Sequence, residues 1–201
     1  MAGRIFVGLW VALFVLYFPA ARAGFVSDFT GWLYDLQHHS FAEHINRTHF
    51  KVVSLYQGTQ LATWLYYQWA GIDPWRWHLL FITLQALNAT LLYKLVACML
   101  RDSGTDRYRV IALTGSVFFC ISPSLSEVLV WEPCYHYLQG LFMILLTLHW
   151  VQEYVYTRNS RLVWYSFFLF VFATHTLEIF YLTPWLLSLI HISEPTRLLR
   201  S

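Results

Sequence analysis

Charge is scarce in this chain. Asp, Glu, Lys and Arg make up 12% of its 201 residues, against roughly 25% in an ordinary soluble protein. A water-soluble domain of this size needs more polar surface to stay dispersed, so that class is excluded. The formal charge is only +2 and no Lys/Arg run is present to track phosphates, which removes nucleic acid from the partners. Cysteine is sparse too. Cys98, Cys120 and Cys134 are an odd number without metal-ligand spacing. Cys98 and Cys120 sit in apolar runs and read as small core residues. Internal repeats and low-complexity linkers are missing, and residues 1–186 read as part of one domain.

What is abundant is apolar: 58% of residues are hydrophobic, 19% aromatic, and the mean hydropathy is +0.48. The expected fold is all-α, a polytopic transmembrane helical bundle, because a spanning segment must satisfy its backbone internally. About 20 apolar residues cross the hydrocarbon core. Candidate spans are 5–20, 52–70, 77–100, 108–121, 136–151 and 162–174, with a seventh beginning at Ile179. Arg4, the apolar run and Ala21-Arg22-Ala23 also fit a cleaved signal peptide. The later apolar segments favour an uncleaved first helix. Connectors are short: Gly71-Ile72-Asp73-Pro74 is a turn, and 101–107 is a charged hairpin.

Orientation stays open at this level. The hairpin with Arg101, Arg107 and Arg109 and the loop with Arg158 and Arg161 are the basic loops, which the positive-inside rule places in the cytoplasm. The loop with Glu127 and Glu132 would then face outward. Strict alternation from a cytoplasmic N-terminus gives the opposite result. The weakest span, 52–70, carries Ser54, Gln57, Thr59, Gln60, Thr63 and Gln68. Were it interfacial or re-entrant, the two rules would agree, and both acidic loops would share one face.

The loop 21–51 is the candidate site. It follows the first apolar run and gathers Asp28, Asp35, Glu43, His38, His39, His44 and His49. Interfacial helices are expected within it. Asp28 lies among Phe25, Phe29 and Trp32, where partial desolvation favours a proton-accepting carboxylate. Ser27 or Asp28 is equally suited to cap a helix starting at Phe29, and the two roles are compatible. Asp35, His39 and Glu43 fall at i, i+4 and i+8, one face of a continuous helix. That face is either a solvated one or a chelate for a divalent cation. Asn46-Arg47-Thr48 fits an N-glycosylation acceptor. Asn88-Ala89-Thr90 fits the same pattern but lies inside a span. Glu127, His175 and Glu178 punctuate span ends, as hydrated boundary groups or as a polar lining. Lys94, within the third span, either snorkels to an interface or meets a lipid phosphate.

Residues 187–197 read LSLIHISEPTR, which resembles the translation of a transposase sequencing adapter. The tail 187–201 is therefore expected to be non-native, and the chain a piece of a longer protein, inactive by itself.

Three motifs occur in an order that resembles the GT-C class of membrane glycosyltransferases, which use polyprenyl-phosphate sugars. The bacterial members and O-mannosyltransferase-like domains are the most similar. Ser27-Asp28-Phe29 follows the first span. Gly71-Ile72-Asp73-Pro74-Trp75-Arg76-Trp77-His78-Leu79 is similar to the family's Gly-Leu-Asn-Pro-x-x-x-His-Leu turn and runs into Leu87-Asn88-Ala89-Thr90. Ser122-Pro123-Ser124-Leu125-Ser126-Glu127-Val128 is similar to His-Pro-x-x-x-Glu-x-Val. The chain departs from the family at Ser27, where a second acid is common, and at Ser122, where the family has His. It departs again at Phe50-Lys51-Val52, in place of Arg-Pro, and at His175-Thr176-Leu177-Glu178, in place of Ser-Lys-Glu.

The resemblance implies an inverting transfer in which Asp28 deprotonates an acceptor hydroxyl and phosphate leaves. It assigns Lys51, Arg47, His78 and Glu127 to substrate binding, with charge on Lys51 or Arg47 offsetting the phosphate. Partners would be the lipid-linked donor, membrane lipids and an unidentified acceptor. The location would be a multi-pass position in a bacterial inner membrane or an endoplasmic reticulum membrane. Rival expectations are a transporter or flippase of lipid-linked glycans and a membrane scaffold without catalysis.

Overall fold

A computed structural model describes residues 2–22, 24–25, 28–46, 56–185 and 188. Among these the secondary structure is helical, without strands. The helices are α1 (Ala2–Ala21), α2 (Phe29–His38), α3 (Phe41–Asn46), α4 (Gln57–Ala70), α5 (Pro74–Asp102), α6 (Tyr108–Ile121), α7 (Pro123–Val130), α8 (Tyr135–Thr157) and α9 (Ser160–Thr174). Short 3-10 turns follow α7 at Glu132–Cys134 and α9 at Glu178–Leu182.

The central helix, α5, starts where its sequence says it should. Asp73 caps it by accepting from Trp75 N at 3.1 Å, with Pro74 at the first helical position, where its missing N–H costs nothing. Gly71 ends α4 with φ of +57°, a backbone region that disfavours side chains. Around α5 pack α1, α6 and α8, and α9 packs on α8. Phe14 and Phe18 meet Trp75 at the top of α5, while Ile5 packs on the Tyr93–Ala97–Ala112 cluster lower down. Hence α1 runs antiparallel to α5. Trp77 lies beside Tyr135, and Asp102 accepts a hydrogen bond from the Tyr156 hydroxyl, so α8 runs parallel to α5.

Two of these helices, Ala2–Ala21 and Pro74–Asp102, are long and apolar enough to cross a membrane. A third crossing results if α6 and α7, bent by 55° at Ser122-Pro123, form one broken span. The sequence suggested six or more. The difference has local causes. By itself α6 has 14 residues, about 21 Å at 1.5 Å per residue, short of a ~30 Å hydrocarbon core. The 23-residue α8 has the length, but Gln139, His149, Gln152 and Glu153 interrupt its apolar run. α9 is apolar but has only 15 residues. At Ile179, where a seventh span was expected to begin, the chain makes a 3-10 turn.

The described part of 52–70 is α4, which does not run the length of the bundle. Gly58 N donates to His175 O at 2.9 Å near its start, and Trp77 Nε1 donates to Gly71 O at 2.9 Å past its end. Both contacts lie at the end of the molecule where α5 and α8 begin. Apolar side chains face outward on the peripheral helices: Val15 is 69% exposed, Phe118 66% and Phe168 64%. That is the pattern of a surface solvated by something other than water, and membrane association follows from it together with the two long apolar helices.

Candidate functional site

The helix directions sort the charged residues between two ends. The starts of α5 and α8, the ends of α1, α6 and α9, and all of α2, α4 and α7 share one end. It carries Asp28, Glu127, Glu132 and Glu178, with Arg22 and Arg76. The other end carries the hairpin with Arg101, Arg107 and Arg109 and the turn with Arg158 and Arg161, beside the N-terminus with Arg4. The first is called here the acidic end, the second the basic end.

At the acidic end α2 is a lid over the starts of two helices. Its apolar face, Phe29, Leu33 and Leu36, is buried at the i, i+4, i+7 spacing of an amphipathic helix. Phe29 meets Trp77 edge-on with ring centres 4.9 Å apart, and Trp32 meets Tyr135 at 6.5 Å. Asp28 is exposed at the first turn of α2. It occupies the cap position, but its backbone is already helical and its side chain makes no cap hydrogen bond. Of the two expected roles, capping is not the one its carboxylate performs. The partial desolvation expected from its aromatic neighbours is not realised either, because Phe29 turns inward and Asp28 outward.

His78, expected to bind substrate, is instead enclosed. It is 2% exposed and its Nε2 lies 3.3 Å from Oε1 of Glu132, itself fully buried. Trp77, Phe81 and Tyr135 pack around this pair in the same core, together with Leu129. Both groups would carry a large desolvation cost if left alone in such a place, so each justifies the other. Glu132 reaches the position through the Trp131-Glu132-Pro133 turn. Glu127, also expected to bind substrate, is exposed on α7. Its charge and, more strongly, burial hold the Cys134 thiol above its ordinary value.

Next to this pair a hydroxyl chain ties α4 to α8. Tyr135 Oη contacts the Thr63 hydroxyl and donates to Thr59 O at 3.0 Å, while Thr59 Oγ1 donates to Thr176 O at 2.9 Å. Near the surface, Tyr56 donates to Glu178 Oε2 at 2.7 Å. That bond lowers the Glu178 carboxyl and raises the Tyr56 phenol to about 12. Between α3, α4 and α9 lies a largely apolar groove of about 580 Å³, walled by Phe41, Ile45, Leu61, Phe168 and Phe172.

The proposed chelating face of Asp35, His39 and Glu43 is broken. His39 is extended, with φ −120° and ψ 146°, so α2 stops and α3 restarts. Ser40 and Glu43 form a capping box: Ser40 N and Oγ each donate to Glu43 Oε2 at 2.8 Å, which satisfies the start of α3. His39 Nδ1 is 3.9 Å from Asp35 Oδ1 at the end of α2, whereas Glu43 is on α3. Among the described residues no group of three potential ligands could hold a metal ion. Arg47 and Lys51, assigned to the donor phosphate, lie outside the described residues, as do Ser27 and His49.

Sequence reasoning passed over Glu132 as a partner for His78, and Arg22 and Arg76 as cations at this end. The Trp-Glu-Pro triplet was the available signal, a carboxylate between an aromatic and a turn residue. Arg76 pairs with Asp73 at 3.3 Å, and Arg22 lies 5.7 Å over the Phe18 ring. No protein-family model matches the chain, and comparison with curated proteins and with solved structures likewise finds no match.

Proposed function

We propose that this chain forms the catalytic end of a membrane glycosyltransferase that moves a sugar from a polyprenyl-phosphate donor to a hydroxyl acceptor. One observation carries the reading: an exposed carboxylate, Asp28, starts a lid helix whose other end leads into α3, a wall of the apolar groove, at the end of the bundle opposite its arginine hairpins. In the reaction, Asp28 accepts the proton of the acceptor hydroxyl as its oxygen attacks the anomeric carbon. The bond from that carbon to the phosphate oxygen breaks, and the phosphate leaves with the electron pair. A single base is enough for such an inverting displacement, because phosphate departs without a strong acid. The groove between α3, α4 and α9 is the seat for the prenyl chain. Arg22, Arg76 and, on the family resemblance, Arg47 and Lys51 supply the positive charge that a phosphate needs.

In this reading His78 and Glu132 position rather than react. Their buried pair holds the starts of α5 and α8 in register beneath the lid. The reading also sets orientation. With α1 and α5 crossing the membrane and α4 confined to one end, the arginine hairpins face the cytoplasm by the positive-inside rule and Asp28 faces the other side. In that arrangement α8 and α9 lie across the membrane beside them. The location follows as a multi-pass membrane protein, bacterial inner or endoplasmic reticulum.

A transporter of lipid-linked glycans is the second reading. It draws on a line of buried amides, Gln85 and Asn88 on α5 and Gln139 on α8, whose side-chain atoms are in part without protein partners. Buried polar groups between helices mark transport pathways. The experiment separates the two. Transfer of labelled sugar from a polyprenyl-phosphate donor, in membranes holding the full protein, should fall by about 100-fold or more in Asp28→Asn at equal expression. Full transfer by Asp28→Asn removes Asp28 from the mechanism. Donor movement across the vesicle without any transfer favours the transporter.

A further inference from the structure

The basic end holds a second built site. A cavity of about 290 Å³ opens between α5, α6 and α8, and Lys94, Arg101, Tyr108, His149 and Tyr156 are in its wall. Lys94 is one of two lysines in the whole sequence, and it lies within α5, the central helix and one of the two long and apolar enough to cross a membrane. An ionisable group within an apolar helix is a functional candidate by default.

Two cations, Lys94 and Arg101, and one carboxylate, Glu153, are in the cavity wall. Lys94 Nζ lies 2.7 Å from His149 Nε2. An ammonium has no lone pair, so it donates and His149 accepts, which fixes the proton of the neutral ring on Nδ1. That Nδ1 is buried and has no partner among the described residues. Of the acids nearby, Asp102 accepts from Arg101 Nε at 3.3 Å and from the Tyr156 hydroxyl. Glu153 is half exposed, with Oε2 4.0 Å from His149 Nε2. Among the described residues no carboxylate pairs with Lys94. At the rim, Arg109 lies 5.4 Å over the ring of Tyr108. The next two residues, Val110 and Ile111, are 62% and 47% exposed and apolar.

We infer that this cavity binds the phosphate of an anionic phospholipid. The ligand's phosphate meets Lys94 and the Arg101 and Arg109 guanidinium groups, and its acyl chains run along Val110 and Ile111 on the outer face of α6. Basic pockets between helices on the cytoplasmic side recognise anionic headgroups in this way. The inference rests on membrane insertion and not on sugar transfer, so it stands or falls separately from the glycosyltransferase reading.

The test is lipid retention by the purified protein, read by native mass spectrometry, with phosphatidylglycerol against phosphatidylcholine. Wild type should hold phosphatidylglycerol about tenfold more tightly. Lys94→Gln should bring the two lipids near parity, Lys94→Arg should keep the preference, and Arg161→Gln, at an exposed position outside the cavity wall, should leave it unchanged. Should Lys94→Gln fail to fold, the exposed Arg109→Gln carries the test, with a loss of about threefold expected. Equal retention of both lipids by wild type overturns the inference, as does an unaltered preference in the Lys94→Gln or, in its place, the Arg109→Gln variant. A loss in Arg161→Gln as large as in Lys94→Gln assigns the effect to overall charge and overturns the inference. Displacement of the lipid by soluble glycerol 3-phosphate assigns the site to a free phosphate ester.

Discussion

The two ends of this bundle solve the problem of charge near a membrane in opposite ways. At the acidic end a histidine and a glutamate are sealed in a core of aromatic rings, and the reactive candidate, Asp28, is left outside on a lid. At the basic end the charges are arranged around an open cavity, and the central group is a half-buried lysine that leans on a neutral histidine. The difference lies in access: the pair at one end is closed off, and the lysine at the other opens on a cavity. A polar residue inside an apolar helix is therefore not a site by its burial alone; what decides is whether a ligand can reach it.

This contrast can be broken from the acidic end with the largest effects. Asp28→Asn should lose transfer by about 100-fold or more while shifting the melting temperature little, because the side chain is exposed and the amide keeps its shape. Glu132→Ala should do the reverse in kind. It leaves His78 alone in a closed core and should cost about 3–5 kcal/mol of stability, read from thermal unfolding in detergent. Equal melting of Glu132→Ala and wild type would show that the pair carries no structural load.

How much of this was legible beforehand can be judged from particular residues. The long apolar runs of α1 and α5 and the Asp-Pro start of α5 were plain, since length, hydropathy and cap chemistry are local properties. The pairing of His78 with Glu132 was not, because it joins two segments that only the packing of α5 against the α7–α8 turn brings together. The break at His39 was written in Ser40 and Glu43, but a helical period drawn through Asp35, His39 and Glu43 overrode the capping box. The placement of α4 at one end was open in its many polar residues and closed only by its contacts with His175 and the start of α5.

A smaller effect sharpens the picture of how α4 is held. Gly58 sits against backbone, and a methyl there would lie 2.9 Å from His175 O. Gly58→Ala should cost about 1–3 kcal/mol, since a main-chain carbonyl cannot swing away. A methyl on Gly140 would overlap the Phe180 ring instead, whose side chain can rotate, so Gly140→Ala should cost less. A reversed order of the two melting temperatures would show that the 3-10 turn after α9 is the more firmly fixed contact.

The smallest effect concerns the surface bond from Tyr56 to Glu178. The Glu178 carboxyl is lowered by the donated hydrogen bond, so its contribution is present above the unfolded value and fades as pH falls through the folded one. The Tyr56 phenol, raised to about 12, contributes below its unfolded value and loses that contribution as pH climbs toward 12. Tyr56→Phe should flatten both limbs of the stability profile slightly. A profile identical to wild type at both limbs would show the bond carries nothing measurable.

The proposed opposition of the two ends across the bilayer is central, and side-specific thiol labelling measures it directly. Asp28→Cys, Glu127→Cys, Arg107→Cys and Arg158→Cys are made singly in a background with the three native cysteines replaced by alanine. Sealed vesicles of one orientation are then treated with an impermeant maleimide. Positions 28 and 127 should react from one side, and 107 and 158 only from the other. Reaction of 28 and 107 from the same side, or of 28 and 127 from opposite sides, would contradict the account.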